Sequence, residues 1–142
     1  MAKLAIVYWS GSGNTEKMAE AIAAGAKAKG AEVDCKNVSN ASASDLANYD
    51  VIAFGSPAMG SEMIEECEME PFFTSAQAFI KGKKVAVFGS YDWGEGEWLE
   101  TWGARVKDGG AELADNGLKV HLEPDAAAIA QCEAWGAKLA AL

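Results

Sequence analysis

Histidine, cysteine, proline and basic residues are all scarce in this chain. Its 142 residues hold one histidine, three cysteines and three prolines, and 12 Lys and Arg stand against 21 Asp and Glu. Each shortage closes off a class of function. Cys35, Cys67 and Cys132 are odd in number and lack a C-x-x-C spacing, which argues against a disulfide framework, an iron–sulfur cluster or a zinc site. His121 stands alone, so a histidine-rich metal centre is excluded, and a single histidine beside an apolar run reads as structural. The net charge of −9 repels nucleic acid and anionic membranes alike; neither is an expected partner, and a basic one is favoured. The longest apolar runs, LAIVYW and VAVF, fall far short of a bilayer span. The N-terminus lacks the layout of a signal peptide, and a cytoplasmic location is expected.

What is present reads as a globular domain. Half of the residues are hydrophobic and 23% are charged, a balance that supports a packed core. The length suits one domain, expected over residues 1–142.

Apolar runs and helical patterns alternate along the chain. Strands are expected at Lys3–Trp9, Glu32–Asn37, Val51–Gly55, Lys84–Gly89 and Leu118–Leu122. LAIVYW, VIAFG and VAVFG are continuous rather than alternating, as in parallel strands covered on both faces. Helices are expected at Thr15–Lys29, Pro71–Ile80, Gly96–Lys107 and Pro124–Leu142, and a weak one at Ser42–Asn48. Their inward faces carry Met18, Ile22 and Ala26; Phe72, Phe73, Ala76, Phe79 and Ile80; Leu99, Trp102 and Val106; and Ile129, Cys132, Gly136 and Leu139. This alternation predicts an α/β doubly wound parallel sheet in three layers. Ligands of such sheets bind beyond the carboxyl ends of the strands.

Three strand ends run into small, polar or glycine-rich loops: SGSGNT, SPAMGSE and SYDWGEG. In the first, Ser10, Ser12 and Thr15 supply hydroxyls, Asn14 an amide, and Gly11 and Gly13 let backbone N–H groups curl around an oxyanion ahead of a helix N-terminus. The other reading of that loop is a tight turn capped by Asn14 or Thr15. It is neither a Rossmann fingerprint, since Glu16 holds the third glycine position, nor a P-loop, since no lysine follows Gly13. Hydroxyls and amides without Lys suit a phosphomonoester held statically rather than one in transfer. In the other loops, Met59 and Trp93 could sandwich a planar ring, although each residue type is common in cores.

Taken together, YWSGSGNTEKMA, SPAMGSE and VAVFGSYDWGEGEW resemble the FMN-binding segments of short-chain, clostridial-type flavodoxins, in order and over essentially the whole chain. The resemblance implies a five-stranded sheet of order 2-1-3-4-5, without the long-chain subgroup's extra segment in the fifth strand, and non-covalently bound FMN. It implies that Ser10, Gly11, Ser12, Gly13, Asn14 and Thr15 hold the phosphate, with Ser90 reaching the same region. Met59 and Trp93 would flank the flavin ring, Glu62 would accept from its N3 edge, and Gly60 would be the peptide that inverts on one-electron reduction. Ser56, Pro57, Ala58, Tyr91, Asp92 and Gly94 complete the cofactor-contacting stretches. Two residues depart from the family pattern: Ser61 after the switching glycine, where it could alter semiquinone stability, and Asp92, whose carboxylate either approaches the flavin N1/O2 edge or points into solvent.

The function implied is a low-potential single-electron carrier, a monomer shuttling FMN between semiquinone and hydroquinone for reductases and low-potential acceptors with basic surfaces. The cofactor carries the chemistry and the protein tunes it. A carboxylate about 8 Å from the anionic hydroquinone costs about 1 kcal/mol at an effective ε of ~40. That is on the order of 40 mV per charge. Glu62, Glu65, Glu66, Glu68 and Glu70, with Asp92, Glu95 and Glu97, are expected to rim the flavin edge and steer basic partners; the alternative is a solvated helix face. A flavodoxin-like NAD(P)H or quinone reductase is the enzymatic rival. Its second substrate would need the space that Trp93 is expected to cover. A signalling receiver domain is set aside, because the required acidic residues are replaced by WSGSG and FGSPA.

Overall fold

A computed structural model describes residues 3–11, 13–59, 63–92 and 94–142 of the chain. Ser12, Gly60, Ser61, Glu62 and Trp93 therefore lie outside the described residues.

The continuous apolar runs become the middle of a parallel sheet. Its strands are β1 (Lys3–Tyr8), β2 (Glu32–Asn37), β3 (Val51–Gly55), β4 (Lys84–Tyr91), β5 (Glu112–Leu113) and β6 (Leu118–His121). They take the order β2-β1-β3-β4-β5, with β6 also paired to β4. The order 2-1-3-4-5 is thus the one expected, but the fifth position holds two short strands rather than one. β5 pairs with Lys84 and Val85, and β6 pairs with Phe88 to Tyr91. The two-residue β5 has neither an apolar run nor an alternation, which is why pattern reading misses it.

Among the described residues four helices cover the sheet: α1 (Asn14–Ala28), α2 (Met69–Ile80), α3 (Glu97–Asp108) and α4 (Ala126–Ala140). The expected weak helix is a 3-10 turn at Ala43–Asn48. Alternate residues of β1 separate the two faces. Leu4, Ile6 and Tyr8 pack with Met18, Ile22, Cys132 and Leu139 of α1 and α4. Ala5 and Val7 face the opposite core, where Phe54 meets Phe73 at 5.2 Å and Phe73 meets Trp102 at 5.8 Å between ring centroids. Each large side chain buried in this way contributes roughly 1.5–3 kcal/mol. Both faces are covered, so the layers number three. Phe79, expected on the inner face of α2, is 37% exposed. Ile80, expected on the same face, is buried.

α1 and α4 touch backbone to backbone. A Cβ at Gly136 would run into the Ile22 carbonyl, so only glycine allows this approach.

Register then sets the site. Tyr8 lies beside Gly55, and Gly55 beside Phe88. β1, β3 and β4 end at one edge of the sheet, with β4 reaching three residues further, to Tyr91.

Candidate functional site

At that edge a groove of about 260 Å³ opens between the three loops, lined by Trp9, Gly11, Pro57, Ala58, Met59, Ser90, Tyr91 and Asp92. Six of these, Gly11, Pro57, Ala58, Met59, Ser90 and Asp92, are residues expected to contact a cofactor, and Tyr91 is a seventh. Trp9 is an addition. It reads as the last residue of the first strand, but its backbone N–H donates to Gly55 O at 2.9 Å and its indole N–H to Glu68 Oε1 at 3.1 Å. The indole lies under Gly11, where a Cβ would come within 3.0 Å of it. An aromatic immediately before a glycine loop was the available signal.

The head of the groove is the start of α1. Thr15 Oγ1 and Ser90 Oγ are 3.0 Å apart, and these residues are only 1% and 4% exposed. Two hydroxyls sharing one bond leave one O–H proton unspent in a buried place. The amide N–H groups of Asn14 and Thr15 find no acceptor among the described residues. They are the usual open donors of a helix N-terminus, where the helix dipole also favours an anion.

Ser10 modifies the expected picture of this loop. Its Oγ accepts from Gly13 N at 3.1 Å and Glu16 N at 3.2 Å, so these two N–H groups serve the loop itself. The Ser10 hydroxyl proton remains available. The residue preceding the helix is Gly13 at φ 98°, without a side-chain cap bond, and neither Asn14 nor Thr15 caps α1. Glu16, in the first turn, accepts from Tyr8 Oη at 3.1 Å. Burial, reinforced by that bond, pushes the Tyr8 phenol up to about 12, and it stays neutral.

The third-strand loop is tied down on both sides. Ser56 is fully buried and holds the loop from beneath rather than facing the groove. Its Oγ donates to Pro57 O and accepts from Glu65 N, both at 2.9 Å, and its carbonyl accepts from Trp98 Nε1 at 3.1 Å. Ala58 N donates to Ser90 O at 3.1 Å, joining this loop to β4. Met59 and Met63 exchange N–H···O bonds of 2.8 and 2.9 Å as an antiparallel bridge. Met59 stands 37% exposed at the groove. Asp92 is exposed and also lines the groove, so both placements expected for it are compatible with the geometry. Gly94 takes φ 85° in the same loop.

The acidic rim needs correction at two positions. Glu65 is 5% exposed, and its carboxylate accepts from Cys67 N at 2.8 Å, Glu68 N at 2.7 Å and Met69 N at 2.9 Å. It closes the N-terminus of α2. Glu70 makes a two-pronged pair with Arg105 at 2.7 and 2.6 Å, and the guanidinium holds its carboxyl below the usual range. Glu68 is engaged by Trp9. Glu66, Asp92, Glu95 and Glu97 are exposed.

No group of three or more metal-ligating side chains occurs among the described residues, and none of the described helices is long and apolar enough to cross a membrane. Cys35, Cys67 and Cys132 are free thiols. Burial pushes Cys35 and Cys132 up to about 11, which makes them poor nucleophiles.

The comparisons with known proteins agree. The family model described as flavodoxin matches residues 6–136. The chain belongs to the flavodoxin family. A flavodoxin of Megasphaera elsdenii is 49% identical over 120 residues, covering 84% of this chain and 87% of the relative. One of Clostridium beijerinckii is 46% identical over 135 residues, covering 95% and 97%. The solution structure of two-electron reduced M. elsdenii flavodoxin superposes with a TM-score of 0.89 at 45% identity, covering 98% and 99% of the two chains. Like the other flavodoxins, this chain is an FMN-binding electron carrier that serves redox partners rather than an enzyme with its own substrate. The groove fits that cofactor. Its head offers neutral hydroxyls, helix N–H groups and an unspent buried proton for a phosphate. Its body offers Trp9, Met59 and Tyr91 for a flat ring.

Proposed function

We propose that the whole chain acts as one FMN-binding unit and that the flavin phosphate sits against Ser10, Ser12, Asn14, Thr15 and Ser90. Met59 and Trp93 flank the ring, Glu62 accepts from its N3 edge, and the Gly60 peptide adjusts to its redox state. When bound, FMN supplies one-electron chemistry; the chain binds it, orients it and shields it. No lysine pairs with the phosphate in this reading, and the surrounding carboxylates disfavour a reduced anionic flavin, so the couple is strongly reducing. The protein is proposed to work as a monomer in the cytoplasm, where its three free thiols suit a reducing compartment. Its partners are redox proteins with basic surfaces, approached through the exposed carboxylates Glu66, Asp92, Glu95 and Glu97.

The observation that carries the phosphate assignment is the buried Thr15–Ser90 hydroxyl pair at the open N-terminus of α1. Titrating the FMN-free protein with FMN and with riboflavin tests it by quenching of flavin fluorescence. Charge-assisted bonds are worth about 1.5–3 kcal/mol each, so riboflavin, which lacks the phosphate, binds at least about 100-fold more weakly. Equal affinity for the two flavins would overturn the assignment.

A further inference from the structure

β6 carries Lys119 and His121 two residues apart, so both side chains leave the same face of the strand. Tyr91, the last residue of β4, pairs in register with His121, and Leu122 N donates to Tyr91 O at 2.8 Å. Past that point the chain leaves the sheet and bends at Asp92 and again at 94–96, where Gly94 and Gly96 take φ 85° and 92°. Carbonyls in such a turn have no strand partner, and two of them are met from β6. His121 Nε2 lies 3.0 Å from Asp92 O, and Lys119 Nζ donates to Glu95 O at 2.9 Å.

The same two side chains grip the base of the loop. The His121 and Tyr91 rings lie 5.0 Å apart between centroids at 42°, and the Lys119 ammonium is 5.9 Å from the Tyr91 centroid. The Lys119 stem lies on Gly96, where a Cβ would come within 2.7 Å of Nζ and 2.9 Å of Cδ. Glycine at 96 suits its positive φ, and the lysine crosses it closely.

We propose that Lys119 and His121 are positioning residues for the cofactor, a two-point clamp from β6 that holds the chain after β4, by Asp92 and Glu95, next to the groove. The proposal rests on the reading that this loop faces FMN. A loop with two left-handed glycines samples many conformations, and ordering it on binding costs affinity. The clamp orders it beforehand. Because a carbonyl only accepts, His121 must carry its proton on Nε2. Both the neutral ring in that tautomer and the cation can donate there, so the bond does not depend on the charge state of the ring.

The test compares Lys119→Met, His121→Leu and the double variant with the donor-preserving Lys119→Arg and His121→Gln. FMN dissociation constants are measured by fluorescence quenching, and amide hydrogen exchange is followed in the FMN-free protein. Each truncation is expected to weaken FMN about fivefold, the size of one exposed hydrogen bond, and the double variant at least about tenfold. Exchange rises across residues 91–96 and stays unchanged in β1 and β3, and the Arg and Gln variants return affinity to within about twofold of the parent. Parental affinity in the double variant, unchanged exchange at 91–96, or failure of the Arg and Gln variants to restore binding would each overturn the clamp. A parent protein that takes up no FMN would strike the cofactor reading instead, and the exchange comparison would still decide the clamp.

Discussion

Replacing Glu65 with alanine removes a carboxylate that three backbone N–H groups use at the start of α2. Two of these donors, on Cys67 and Glu68, belong to exposed residues and can turn to water. The third belongs to Met69, which is 0% exposed, and is stranded. Losing a helix-start acceptor costs about 1 kcal/mol. A buried donor left without a partner adds about 1–3 kcal/mol. The expected loss is about 2–4 kcal/mol, and at about 3 °C per kcal/mol for a chain of this size the melting midpoint falls by about 6–12 °C. Glu65→Gln should lie between, because its oxygen can still accept while its NH2 confronts another donor. Thermal unfolding of the FMN-free protein by circular dichroism, with exposed Glu66→Lys as control, is the assay. A Glu65→Ala protein melting within about 1 °C of the parent would refute the reasoning, and would return Glu65 to the rim.

Other outcomes follow from the same geometry. Reversing exposed Glu66 and Glu95 to Lys should leave stability within about 0.5 kcal/mol while slowing electron transfer to a basic partner and flattening its dependence on ionic strength; unchanged rates and salt dependence would remove the steering role. Arg105→Met should cost no more than about 1 kcal/mol at neutral pH, because the Glu70–Arg105 pair is one-third exposed. Glu70's folded pKa is depressed below 4.5 by Arg105, so the pair's contribution is complete above that value and is lost as pH falls through the lower, folded one. Parent and variant should then converge in urea titrations at acid pH; a gap that persists there would mean that packing of Arg105 over Phe73, at 4.9 Å, carries the effect instead.

The sequence disclosed most of the scaffold because burial leaves a mark on composition. LAIVYW, VIAFG and VAVFG become β1, β3 and β4 since strands covered on both faces need apolar residues at every position. β5 left no such mark, as two residues at a sheet edge need bury little. The groove-lining positions were legible as glycine-rich loops at three strand ends. The roles inside those loops were not. Ser10 looked like a donor to an anion, yet its oxygen first serves Gly13 and Glu16. Glu65 looked like one more surface acid in a run of five, and only the turn before α2 folds it inward. Spacing reports which residues are near one another along the chain; it does not report which backbone N–H groups a fold leaves without partners.

The groove is proposed to hold one FMN and to pass its electrons singly. Stepwise reduction of the FMN-loaded protein with dithionite, followed by visible absorption, tests it most directly. One FMN per chain, two separable steps, and a one-electron-reduced form with long-wavelength absorption after the first are expected. Direct bleaching to the fully reduced flavin in one step, or no uptake of FMN, would contradict it.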